Sequence, residues 1–99
     1  MTDAAGNAAP GLLKRTLAIA NKRGLHARAA AKFVRTAGQF DAAVRVSFKG
    51  QDVSGLSIMG LMMLAAGIGS SIELSCSGRQ ALEAMAALSA LVEGKFGED

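Results

Sequence analysis

The chain has no tryptophan, no tyrosine, one proline, one cysteine and one histidine. With Cys76 alone, no intrachain disulfide can form. One cysteine and one histidine are also too few for the usual multi-ligand structural zinc sites, so neither a metal nor another cofactor is expected. Cys76 reads as a small buried apolar residue. Aromatic residues make up only 4% of a sequence that is 51% hydrophobic, and they are not interleaved with the basic residues. A base-stacking surface is therefore missing, and nucleic acid is not an expected partner. The longest apolar run, Leu56 to Ile68, is interrupted by Ser57, Gly60 and Gly67. It falls well short of the roughly 20 residues that cross a bilayer, and no basic stretch followed by an apolar one marks a signal peptide. A soluble, cytoplasmic protein without membrane insertion is expected.

What is present fits one small domain: 99 residues with a net charge of +3 and a pI near 9.5, which suit acidic partners. Residues 1–11, small and weakly polar, read as a flexible extension preceding a domain over 12–94, with 95–99 frayed.

The most informative stretch is Asn21 to Ala31, NKRGLHARAAA, which holds the histidine. Gly24 permits a tight turn, after which the composition switches to helix formers. His26 thus falls at or beside a helix N-cap, where unpaired backbone N–H groups and the positive end of the macrodipole stabilise an anion. The same field favours a neutral imidazole with a free nitrogen able to act as a nucleophile. Arg28 adds a fixed positive charge suited to phosphate oxygens. A surface histidine that caps a helix and does no chemistry fits the local spacing too, and on that spacing alone it stands ahead.

Along the chain, alternation predicts strands at Leu13 to Ala20, Ala43 to Phe48, Gln51 to Ser54 and Ser71 to Cys76, with a tight turn at Lys49-Gly50. Helical spacing predicts a first helix over Ala27 to Ala37 ended by Gly38, with Ala30, Phe33, Val34 and Ala37 on its core face. Arg28, Lys32, Arg35 and Gln39 share the opposite side, either a solvated face or a surface that holds a phosphate or an acidic partner. A second helix, Ser57 to Ala65, is capped by Ser57 and is apolar nearly all round, so part of Ile58, Met59, Leu61, Met62 and Met63 must face water. Exposed methionines there suit contact with several partners. The last helix runs to about Glu93, with Ser77 and Gln80 forming a capping box and Ala81, Met85, Leu88 and Val92 inward. This order points to an α+β fold, a four-stranded antiparallel sheet with its helices on one face. Strand order does not follow from these signals.

Taken together, Gly24-Leu25-His26-Ala27-Arg28 and Ser57-Ile58-Met59-Gly60-Leu61-Met62, with Ser57 lying 31 residues after His26, resemble the HPr family. These are the histidine-containing phosphocarriers of the bacterial phosphoenolpyruvate-dependent phosphotransferase system, and the resemblance spans about Leu12 to Glu93. It reverses the preference on His26. It implies a βαββαβα open-faced sandwich with strand order 1-4-2-3 and three helices. It further implies that His26 is phosphorylated on Nδ1 by phospho-Enzyme I and passes the group to an EIIA-type protein, with Arg28 steadying the phosphoryl group. Ser57 matches the regulatory serine modified by HPr kinase/phosphorylase in some bacteria, and Ile58, Met59 and Met62 match the docking patch; Lys32 and Arg35, from the basic stripe of the first helix, are further candidates for docking an acidic partner. The protein is expected to be a monomer and a phosphoryl carrier rather than a turnover enzyme. For such a carrier the site should be shallow and exposed.

Two positions depart from the commonest family pattern. Ala29 stands where proline is usual, a feature resembling the nitrogen-related branch, and Leu56 stands where a basic residue often precedes the serine. Transfer to a sugar-transport component or to a nitrogen-related regulatory EIIA both stay open. The alternative is a regulatory interaction module of the same fold with a silent His26.

Overall fold

The computed structural model describes residues 12–98; the expected extension, residues 1–11, lies outside them, as does Asp99. Four strands, β1 (Leu13–Ala18), β2 (Ala43–Phe48), β3 (Gln51–Ser54) and β4 (Ser71–Ser77), pair antiparallel in the order β1-β4-β2-β3. This is the order that the family resemblance implies. Three helices, α1 (Ala27–Ala37), α2 (Ile58–Met63) and α3 (Ala81–Glu93), cover one face, and a 3-10 turn (Lys95–Gly97) follows α3.

Period-two patterning decides which face of the sheet is covered. Val44, Val46, Ile72, Leu74 and Cys76 are buried on one side, while Arg45 and Glu73 stay exposed on the other. Cys76 is buried as its sequence context suggests, and burial pushes its thiol pKa up. On the edge strand β1, Arg15 shares the inward parity of Leu17 and reaches Glu93 at the end of α3, 3.2 Å away. The hairpin between β2 and β3 closes on Lys49 and Gly50, both at positive φ (49° and 81°), the twist that a two-residue turn needs.

Helix α1 presents Ala29, Ala30, Phe33 and Ala37 to the core, and Val34 is only half-buried. Ala29 is thus a packing residue at 0% exposure. The helix ends at Gly38 with right-handed backbone (φ −70°), so this glycine supplies no left-handed cap. Helix α2 is shorter than its apolar run, six residues from Ile58 to Met63, and buries Leu61.

Two expectations at the C-terminal half are corrected. The capping box does not form: Ser77 is drawn into β4 opposite Ala43, and Gly78 turns the chain at φ +106°. Gln80 becomes the N-cap of α3 without a side-chain cap bond, and its Oε1 instead accepts the Asp41 N–H at 2.8 Å. Nor does the chain fray from Lys95. Phe96 is 0% exposed and packs into the core, and the Lys32 ammonium donates to its carbonyl at 2.7 Å. These contacts offset the left-handed backbone of Lys95 and Phe96 (φ 59° and 54°), which costs about 1–2 kcal/mol per residue. Deleting residues 95–99 or making Phe96→Ala should therefore destabilise the domain by about 3–4 kcal/mol in urea unfolding. A loss under about 0.5 kcal/mol in both would mean that the tail is dispensable.

Candidate functional site

The site is built on the turn between β1 and α1. Asn21 O accepts the Gly24 N–H at 3.2 Å, and Asn21 Nδ2 donates to Gly24 O at 2.8 Å, so a single buried asparagine closes the turn with main chain and side chain together. Gly24 sits at φ +64°, and a Cβ there would lie 2.4 Å from Ala66 O. Only glycine fits that approach. The next residue, Leu25, is buried and donates its N–H to the same carbonyl at 3.1 Å. The turn is thereby clamped onto the connection between α2 and β4.

The clamp delivers His26 as the N-cap of α1, with extended backbone (φ −73°, ψ 177°) and its carbonyl accepting the Ala30 N–H at 2.9 Å. The imidazole makes no cap bond to the helix. It turns instead to the C-terminal segment, where Nε2 meets Glu98 Oε2 at 2.5 Å. Glu98 Oε1 accepts a second hydrogen bond from Asn21 Nδ2 at 3.1 Å. No described residue hydrogen-bonds the other ring nitrogen, Nδ1. Burial works to raise the Glu98 carboxyl pKa, but the hydrogen bonds from Asn21 and His26 and the electrostatic attraction of His26 and Lys32 outweigh it and hold the group below the usual carboxylate range.

The histidine is more covered than a shallow, exposed site implies, with 15% of its side chain accessible, because Glu98 closes one edge of the ring. Arg28 is exposed in the first turn of α1 and Arg35 is exposed in its last, so both stay on the outer face as the helical spacing requires. Lys32 leaves that stripe: it is half-buried, with its ammonium on the Phe96 carbonyl. Ser57 caps α2, its Oγ accepting the Gly60 N–H at 2.9 Å. Behind it Gly60 leaves room that a side chain would take, since a Cβ would stand 3.1 Å from Val53 Cβ. Ile58, Met59 and Met62 are exposed at 41%, 68% and 40%, and Leu56, Met63 and Ile68, nearby in the chain, are exposed as well. Helix α2 packs against α1, which puts the methionine surface and the histidine turn on neighbouring elements. Among the described residues no group of His, Cys, Asp and Glu is placed to hold a metal.

Sequence reasoning missed Asn21 and Glu98. Asn21 looks like an ordinary turn residue, and Glu98 is 72 positions from His26 with no periodic signal around it. A lone aromatic, Phe96, between Gly94 and Gly97 was the only hint that the tail is anchored.

Fold and site define a class: small open-faced α+β sandwiches that present one histidine at the N-terminus of their first helix. A family model described as "PTS HPr component phosphorylation site" matches residues 13–94. The phosphocarrier protein HPr of Cupriavidus necator is 52% identical over 87 residues, covering 88% of this chain and 98% of that protein. The phosphocarrier protein NPr of Shewanella violacea is 43% identical over 86 residues, covering 87% and 94%. Among solved structures, HPr from Thermoanaerobacter tengcongensis superposes with a TM-score of 0.84 at 44% identity, covering 88% of this chain and 98% of that one. The chain belongs to the HPr family of phosphocarrier proteins of the phosphotransferase system.

The low Glu98 pKa sets a pH dependence. A carboxyl whose folded pKa is depressed contributes stability that is complete above its ordinary value of 4.5 and is lost as pH falls through the lower folded value. Thermal unfolding should show the wild type losing stability relative to Glu98→Gln as pH is lowered below about 4.5. Parallel curves would mean that the carboxylate makes no differential contact in the folded state.

Proposed function

We propose that the chain accepts a phosphoryl group on Nδ1 of His26 from phospho-Enzyme I and passes it to an EIIA-type protein. The observation that carries this reading is the difference between the two ring nitrogens: Nε2 is engaged by Glu98, while Nδ1 has no described partner and belongs to the N-cap residue of α1, whose N-terminus is the positive end of the helix dipole. In the forward step the Nδ1 lone pair forms the new N–P bond as the donor's N–P bond breaks, and the donor nitrogen recovers its electron pair. The first N–H groups of α1 and the exposed Arg28 face the added charge. Enzyme I and the acceptor supply the in-line geometry.

Ile58, Met59 and Met62 form the docking surface in this reading, flanked by Arg35; Lys32 contributes by holding the Phe96 carbonyl. The protein acts as a monomer in the cytoplasm. Ser57 serves as the regulatory site of a kinase of the HPr kinase/phosphorylase type where one is present. Its Oγ already caps α2, so a phosphate would remain at the helix start and put negative charge among the docking methionines. Names of both the HPr and the NPr kind occur among the relatives, and acceptors of the sugar-specific and nitrogen-related kinds are both compatible with the site.

Incubation with Enzyme I and labelled phosphoenolpyruvate should label the wild type and leave His26→Ala unlabelled. Label retained by the variant, or absent from the wild type, would refute the carrier reading. Ser57→Asp should raise the KM for Enzyme I about tenfold or more, the equivalent of roughly 1.4 kcal/mol of docking. An unchanged KM would separate Ser57 from the docking surface.

A further inference from the structure

The carrier reading leaves one edge of the His26 ring without a role, and the fold has gone to some length to close it. Three holds bring Glu98 to Nε2. The Phe96 ring is fully buried, the Lys32 ammonium binds the Phe96 carbonyl at 2.7 Å, and Asn21 Nδ2 binds Glu98 Oε1 at 3.1 Å. Asn21 is itself fully buried, and its orientation is set by its donors. Turning the amide over would face an oxygen toward both Gly24 O and Glu98 Oε1, while Oδ1 as it stands is buried without a partner among the described residues. The turn that delivers the histidine therefore also orients the carboxylate that receives it.

We infer that Glu98 is a positioning residue for phosphoryl transfer at His26: its carboxylate accepts the Nε2–H, holds the neutral ring in that tautomer, and so leaves the Nδ1 lone pair as the nucleophile. The inference rests on the carrier reading and goes beyond it by naming the group that chooses between the two nitrogens. An ionised carboxylate can only accept, so of the two neutral tautomers it is satisfied only by the one with the proton on Nε2. The hydrogen bonds from Asn21 and from the ring N–H, with the charge of Lys32, favour the ionised carboxylate. When Nδ1 bonds to phosphorus, the Nε2 proton stays where it is, and the positive charge the ring gains lies against Glu98. When the group leaves for the acceptor, the electron pair of the N–P bond returns to Nδ1 and the ring is neutral again. No proton has to leave the site in either direction, and nothing is oxidised or reduced.

A clasp that merely pins the tail would affect stability without affecting which nitrogen reacts. The test therefore uses a donor that needs no protein, phosphoramidate, which gives its phosphoryl group to imidazole with ammonia as the leaving group. Wild type, Glu98→Gln and Glu98→Ala are treated in parallel as full chains. Phosphorus and nitrogen NMR report which ring nitrogen carries the group, and amide spectra report the fold. The wild type should react at Nδ1 alone. Glu98→Ala should react at Nδ1 about tenfold more slowly and place a measurable share of product on Nε2. Glu98→Gln, which keeps an acceptor oxygen without the charge, should fall between. Nδ1 selectivity and rate equal to wild type in both variants, with folded amide spectra, would overturn the inference, as would reaction of the wild type at Nε2. A wild type that phospho-Enzyme I fails to label but that phosphoramidate modifies at Nδ1 with the stated dependence on Glu98 would refute the carrier reading and leave this one standing.

Discussion

Everything at the histidine depends on one close approach, that of the Gly24 backbone to the Ala66 carbonyl. The space there admits no side chain, the left-handed φ of 64° suits glycine alone, and the Leu25 N–H completes the contact. It joins the start of α1 to the segment that leads from α2 into β4, two parts of the chain some forty residues apart. Because α1 is anchored at this end and buries Phe33 and its alanines along its length, the orientation of its first turn is set by the core rather than by local propensity. A histidine placed on that turn inherits a rigid backbone and an uncompensated row of N–H donors.

The C-terminal segment adds a second constraint that works on the side chain. Phe96 anchors it in the core, Lys32 holds its carbonyl, and Glu98 is left facing the imidazole with Asn21 beside it. The two nitrogens of one ring thus experience different surroundings. Such asymmetry suits a carrier, which has to accept and release a group at one defined atom. In the transfer proposed above, the charge on the ring is matched from the far side by Glu98, without a deep pocket to hold the group back.

Much of this was legible in the sequence. Alternation in Ala43 to Phe48 and Ser71 to Cys76, the helical spacing of Ala30 and Phe33, and the apolar excess around Met59 are local patterns with local causes, and the corresponding elements form where those patterns lie. The failures share a different cause. Ser77 and Gln80 have the right types for a capping box, but the β4 ladder claims Ser77, and Asp41 claims Gln80. Lys95 to Glu98 carries no periodicity, so nothing local distinguishes an anchored tail from a frayed one. Lys32 belongs by spacing to a solvated stripe, yet a carbonyl from the far end of the chain draws it under cover.

The sequence by itself determined the α+β class, the four strands and three helices, the N-cap position of His26 and the water-facing methionines of α2, because each follows from the residue spacing that buries one face of an element. Only the tertiary structure decided that Asn21, His26 and Glu98 meet. Their contact rests on side-chain hydrogen bonds between segments brought together by the packing of Phe96 and Leu25, and a directional interaction between distant residues leaves no trace in the spacing of either one.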